Sequence, residues 1–420
     1  MRGFFANFAA MKAIVVLILV LVAASATATN FDDNFSDSTL RVDYVLGADH
    51  LKVGVFQHQQ SKHAGWAGRR HNLDSLPYLG NGTLRISDPE TGSTLYTTSF
   101  STLFQEWLNT PEAAEAVQSF EHSVLAPLPR READLELTLL DNRHDTIAHT
   151  VTRYRPDDIL VAQLPTPQAT IRKLHQSDTA GEAIDVAILG EGYTAAEAED
   201  FFDRAQQAAD EILSYEPFCR YAGRFNFVAV FIPSAQSGVS VPLRGEWLDT
   251  PFLSHFSTFY SDRYLTTPRV WRLYDAASAV PFEHLIVLAN TDVYGGGGIY
   301  NSYTLTTTGH ANFRPVVVHE FGHSFGGLAD EYFYEGELDD TYPVDVEPWE
   351  PNLTTKVDFA SKWEHMLGTD PLIGVFEGGG YAAEGVYRPA DECRMRNNTY
   401  PTFCPVCRAA LERLIRFYTE

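Results

Sequence analysis

VVVHEFGHSFGGLADEY, residues 316–332, is the stretch on which the reading of this chain turns. Val316, Val317 and Val318 run apolar into it, as a buried helix requires, and Gly326-Gly327 ends the periodicity. Residues four apart in a helix share a face one turn apart, so His319 and His323 can direct their imidazoles at a single ion. Glu320 follows the first histidine and stands beside any coordination position left open. Zinc suits such donors, and it lowers the pKa of a bound water from about 15.7 to near 7, where a neighbouring carboxylate can take the proton. Glu320 is therefore the expected general base. A catalytic zinc usually keeps three protein ligands and a water. Asp330, within reach once the glycines turn the chain back, is the expected third ligand; Glu331 is its nearest rival, followed by Glu337, Glu347 and Glu350. Two surface histidines on an ordinary amphipathic helix is the plainer alternative, and the apolar approach and paired glycines count against it.

Around this segment the texture is mixed α/β. Ile184–Leu189 reads as a strand, Thr194 opens a helix through Ile212, and Phe225–Ile232 and His284–Ala289 read as further strands. Thr194 and Glu197 form the S/T-x-x-E pattern of a capping box. The run YGGGGIYNSY, residues 294–303, leads from flexible glycines into a strand-prone stretch. Gly297, Gly298, Ile299 and Tyr300 are the candidate edge against which an extended peptide would pair. Earlier, from about Thr39 to Ile159, short alternating stretches such as Thr39–Val45 and Leu135–Leu140 are separated by turn signals such as Asn81-Gly82, the pattern of a small antiparallel β domain. Thr102–Leu108 and Pro111–His122 read as short helices within it. Leu164 to Gly181 turns polar and proline-containing, as a linker does.

The chain has 420 residues, more than one hydrophobic core usually serves, and its hydrophobic content of 45% is that of a globular protein. Arg2 and Lys12, the apolar run Ala13–Ala24 and the small residues Ala26-Thr27-Ala28 make a secretory signal over residues 1–28. That run is shorter than the roughly 20 residues needed to span a bilayer, and no later stretch is longer, so no membrane span is expected. Loss of residues 1–28 removes Arg2 and Lys12 and no acid, taking the formal charge from −24 to −26. Such an acidic surface disfavours nucleic acid and anionic lipid as partners, while the protein or peptide expected as substrate rests on the H-E-x-x-H reading of residues 319–323.

The segment HEFGHSFGGLADEY, residues 319–332, resembles the signature of the M64 peptidases, the IgA-peptidase family of metzincin-like zinc endopeptidases. ILGEGYT at 188–194, Pro217-Phe218, FNF at 225–227 and SAQSG at 234–238 are similar to that family too, so the resemblance spans about residues 180–420. It implies zinc held by His319 and His323, catalysis by Glu320, and an acidic third ligand matching Asp330. The general metzincin spacing would instead put that ligand at 329, which is Ala329 here. Metzincin-like folds carry a methionine turn beneath the metal, and Cys393-Arg394-Met395-Arg396-Asn397 resembles it, with Met395 as the thioether under the rings. Tyr332, Tyr387 and Tyr400 are candidate donors to an oxyanion.

Cys219, Cys393, Cys404 and Cys407 make an even count, which in an exported protein suggests disulfides; a structural zinc on the four cysteines, prompted by Cys404-Pro405-Val406-Cys407, is the rival. Four N-x-S/T triplets begin at Asn34, Asn81, Asn352 and Asn397. The expected architecture is α+β: signal peptide 1–28, a β-rich, sandwich-like domain 30–165, a linker 166–180, and a metzincin-like zinc peptidase domain 181–420. The expected function is a secreted or periplasmic zinc endopeptidase with one catalytic Zn2+. The alternative is a secreted binding or adhesion protein on a peptidase-like scaffold. Cleavage specificity, oligomeric state and any latency device are not legible in the chain.

Overall fold

The fold is that of a computed structural model describing residues 30–49, 52–178, 182–335 and 341–420. The leader expected at 1–28, and Glu337, lie outside the described residues. The first part comprises α1 (Phe31–Asn34), β1 (Phe35–Ala48), β2 (Val53–Ala64), β3 (Gly82–Ser87), β4 (Thr94–Phe100), α2 (Leu103–Leu108), β5 (Gln118–Pro129), β6 (Ala133–Leu140), β7 (Thr146–Tyr154) and β8 (Ala162–Gln163). Two four-stranded sheets result, ordered β5-β1-β2-β8 and β4-β3-β6-β7. Their alternation decides how they pack. Leu135, Leu137 and Leu139 of β6 and Leu40, Val42, Tyr44 and Leu46 of β1 are buried, and all belong to one core between the sheets.

One expectation fails here. Pro111–His122 is not a helix: Pro111–Ala114 makes a single tight turn, and β5 begins at Gln118. Phe120 stands opposite Leu46 and Val124 opposite Val42, so antiparallel pairing with the long β1 claims the chain from Gln118 onward and leaves the helix preference of Glu112–Ala116 only a single turn. Thr102 does cap α2, its side chain accepting from the Gln105 backbone N–H.

The second part contains β9 (Thr170–His175), β10 (Ile184–Glu191), α3 (Ala198–Ser214), β11 (Phe225–Phe231), α4 (Val270–Ala277), β12 (His284–Ala289), β13 (Gly296–Ile299), β14 (Tyr303–Thr307), α5 (Phe313–Ser324), β15 (Phe376–Gly379), β16 (Ala382–Arg388) and α6 (Pro405–Thr419). β9, inside the stretch read as linker, is an edge strand. The six-stranded sheet runs β13-β14-β12-β10-β11-β9, with a parallel centre and an antiparallel strand at each edge. Central strands of such a sheet are covered on both faces and so read as unbroken apolar runs. Ile184, Val186 and Ile188 of β10 pack with residues of α3, α5 and α6. Ala187 and Leu189 pack with those of α4 on the other face.

The capping box at α3 is present: Glu197 Oε2 accepts from the Thr194 N–H at 2.8 Å and from its hydroxyl at 2.7 Å. The molecule is thus a mixed α/β body preceded by two packed, mainly antiparallel sheets, β8 alone joining its sheet in parallel. Among the described residues no helix is long and apolar enough to cross a membrane.

Candidate metal centre

α5 carries His319, Glu320 and His323, and its one-turn spacing brings both imidazoles to one point: the Nε2 atoms are 3.1 Å apart. Each ring is fixed from behind. His319 Nδ1 lies 3.0 Å from the Arg394 carbonyl and His323 Nδ1 lies 2.5 Å from the Leu328 carbonyl. A carbonyl can only accept, so both protons sit on Nδ1 and both Nε2 lone pairs face inward. Asp330 joins them, with Oδ1 at 3.0 Å from His319 Nε2 and 3.3 Å from His323 Nε2. That oxygen is buried and makes no hydrogen bond, while Oδ2 accepts from the Tyr381 hydroxyl at 2.5 Å.

Two imidazole nitrogens and a carboxylate oxygen therefore converge, at the roughly 3.3 Å separation expected of neighbouring N and O ligands on a tetrahedral ion about 2.0–2.1 Å from each. The electrostatics agree. Burial disfavours a His323 cation, yet Asp330 beside it holds the ring's pKa up to about 9, so with no metal bound a proton takes the place between them that a metal cation would fill. Burial would also lift Asp330, but the two histidines hold it well below the usual carboxylate range. A divalent cation would serve all three atoms at once, so these residues fit a bound metal. Glu320 lies beside them, its carboxylate within 4.8 Å of the ring nitrogens, and burial raises its pKa above the ordinary value against the pull of both histidines. A raised carboxyl is a stronger base once ionised.

Met395 is fully buried under α5: a Cβ built on Gly322 would stand 2.8 Å from its sulfur. The same turn supplies the Arg394 carbonyl that orients His319. Glu331, the rival third ligand, faces away, with Oε1 at 3.0 Å from Asn352 Nδ2 and 3.1 Å from Cys407 Sγ. Glu347 is occupied with Thr355 and Asp358, while Glu350 lines the cleft and pairs with the Tyr342 hydroxyl.

The cleft over these residues has a volume of about 850 Å³. β13 forms one wall at the edge of the sheet. Its glycines are needed there because a Cβ on Gly298 would lie 2.3 Å from the Glu320 carbonyl oxygen and one on Gly296 2.7 Å from Glu320 Oε1. Tyr300 falls beyond the strand and is buried against Tyr78 and Trp349. On the outer side of β13, Gly296 makes a single bridge with Tyr264.

Tyr332 lines the cleft; Tyr387 and Tyr400 do not. Tyr381, which grips Asp330, and the hydrogen-bonded pair Tyr264–Glu106, which brings α2 of the sandwich into the cleft, had no local sequence signal. Asn352 showed itself only as an N-x-T triplet. It is wholly buried, accepts from the Ala329 N–H at 2.8 Å and donates to the Ala329 carbonyl at 2.9 Å, so it positions the Asp330 loop and is no site for glycan. The disulfide expectation also fails: all four cysteines are free thiols, and Cys219 is exposed and apart from the other three.

The sequence matches the family described as IgA Peptidase M64 over residues 172–372 and 369–415, and the one described as Peptidase M64 N-terminus over residues 30–150. The chain belongs to the M64 peptidases. No curated protein matches it. Membership makes this M64 chain a metallopeptidase, a hydrolase acting on proteins, and accounts for both parts of the fold as the family's two matched regions.

Proposed function

We propose that this M64 peptidase is a secreted zinc endopeptidase of metzincin-like design, in which His319, His323 and Asp330 hold the metal and Glu320 is the general base. The observation that carries this reading is the convergence of two Nε2 lone pairs and an unpartnered Asp330 Oδ1 within 3.3 Å. When bound, zinc supplies Lewis acidity toward the scissile carbonyl and acidifies water. Glu320 removes the proton from the attacking water and later passes it to the leaving amine. Tyr332, whose pKa burial and then Asp330 push well above the usual phenol value, stays protonated and donates to the developing oxyanion. An extended substrate lies along β13, past Gly297 and Gly298, with its carbonyl toward Glu320. Tyr381 and the Leu328 and Arg394 carbonyls hold the ligands in place. Secretion rests on the leader read at residues 1–28.

Metal analysis with a generic protein-substrate assay tests the assignment. Glu320→Gln should keep the wild-type metal content and lose on the order of 10²–10⁴-fold in activity. Asp330→Ala should lose one equivalent of metal together with activity. Full proteolysis by Glu320→Gln would remove the base from this scheme.

A further inference from the structure

A second set of metal-binding side chains lies outside the cleft. Cys393, Cys404, Cys407 and Glu331 are each no more than 2% exposed, none lines the cleft, and one ligand atom from each lies within 4.8 Å of all the others. The Sγ atoms of Cys393 and Cys407 are 3.8 Å apart, and Cys407 Sγ is 3.1 Å from Glu331 Oε1. A disulfide needs sulfurs about 2.05 Å apart. Two thiolates at about 2.3 Å from a tetrahedral zinc stand about 3.8 Å apart.

Cys393 and Cys407 donate S–H to Cys407 Sγ and Glu331 Oε1 in turn, and two backbone N–H groups donate to the sulfurs. The Cys404 N–H donates to Cys393 Sγ at 3.2 Å and the Cys407 N–H to Cys404 Sγ at 3.4 Å. Cys404 caps the N-terminus of the 15-residue α6, where free N–H groups and the helix dipole favour negative charge. Glu331 Oε2 is buried with no hydrogen-bond partner. Among the described residues no lysine or arginine forms an ion pair with Glu331. Arg388 feels its charge but is committed to the carbonyls of Glu377 and Gly378 and to Asp391. Four ligand side chains thus share one buried pocket, where a single divalent ion could take the place of their protons.

We propose that Cys393, Cys404, Cys407 and Glu331 bind a second zinc ion. Its role is structural, since the protein fills all four positions and leaves none open to water or substrate. The ion would tie together the segment after α5, the turn containing Met395 and the start of α6. Those elements already touch the catalytic set: Glu331 N donates to the Met395 carbonyl at 2.9 Å, and the next residue back from Met395 orients His319. Adjacent carboxylates thus divide between two ions, Asp330 to the cleft and Glu331 to the thiols.

Metal content of the full chain, purified without chelator, tests this independently of the catalytic assignment. The expected result is two zinc per chain for the wild type and one for the His319→Ala/His323→Ala double variant. That variant, stripped and reloaded with cobalt, should show thiolate-to-cobalt charge-transfer absorption, and Glu331→Gln in the same background should weaken cobalt binding at least tenfold. Native thiol alkylation should label Cys219 alone before chelation and all four cysteines after it. A double variant with no metal, four thiols labelled without chelation, or a Cys393–Cys407 disulfide in the non-reduced peptide map would each overturn the second site. A wild type with one zinc and the cobalt–thiolate band would uphold it while refuting the catalytic ligand set.

Discussion

Asp330 and Glu331 show how much one bond of rotation decides. They are chemically near-equivalent and adjacent, yet Asp330 reaches the histidines and Glu331 reaches the thiols, because the Asn352 side chain clamps the Ala329 peptide and fixes which way each carboxylate leaves the chain. Buried histidines away from the site carry a different consequence. His284 packs edge-on against Phe325 and Tyr418, its Nε2 has no partner, and burial lowers its pKa to about 3. The folded value lies below the unfolded one, near 6.5, so the unfolded chain takes up the proton first as pH falls. Its contribution is therefore fully present above about pH 6.5 and is lost progressively toward pH 3. His284→Phe should shrink the difference in unfolding free energy between pH 7.5 and pH 5 by ~2 kcal/mol, read from urea denaturation at the two pH values. An unchanged difference would mean that His284 is protonated in the fold. His122, also lowered to about 3 by burial, supplies a similar dependence that the variant leaves intact.

The contact between α5 and β13 places Glu320, the proposed general base, against the wall of the cleft. Gly298 permits it, since the obstacle to a side chain there is the Glu320 carbonyl oxygen, a helix backbone atom with no freedom to swing aside. Gly298→Ala should force the strand and helix apart, costing about 1–3 kcal/mol of stability as overpacking does. Activity should fall by more than the folded fraction accounts for, because Glu320 moves with the helix. Thermal denaturation and specific activity of the variant check this, and wild-type values in both would show that β13 does not abut α5.

Across the whole molecule, the sandwich and the mixed sheet share a polar seam. Arg41, in β1 and almost wholly buried, bonds Asp43 at 2.7 Å, Asp275 of α4 at 2.6 Å and the Trp271 carbonyl at 3.1 Å. Ser99 accepts from Asn301 at 2.8 Å nearby, and Glu106 reaches the cleft through Tyr264. The first region is thus joined to the peptidase region close to the cleft over His319 and His323. Arg41→Met strips the counter-charge from buried Asp43 and should destabilise by about 3–5 kcal/mol, seen as a lowered urea midpoint. Adding Asp43→Asn should recover part of the loss. A single variant with wild-type stability would show that water enters the seam.

Helical spacing made the two histidines and Glu320 readable, because i and i+4 on one helix must share a face wherever the helix goes. Period-two alternation likewise exposed β1 and β6, the unbroken apolar run exposed β10 and β12, and the capping box marked where α3 begins. Each of these signals is local: the residues that cooperate lie within a few positions of one another. What the chain could not announce were partnerships between distant segments. Tyr381 on Asp330, Asn352 on the Ala329 peptide, Glu106 in the cleft and Cys393 beside Cys407 depend on loops brought together by the sheet and its helices. The disulfide reading and the Pro111–His122 helix failed for the same reason. Cysteine count carries no distances, and helix preference over a few residues yields to a strand already waiting to pair.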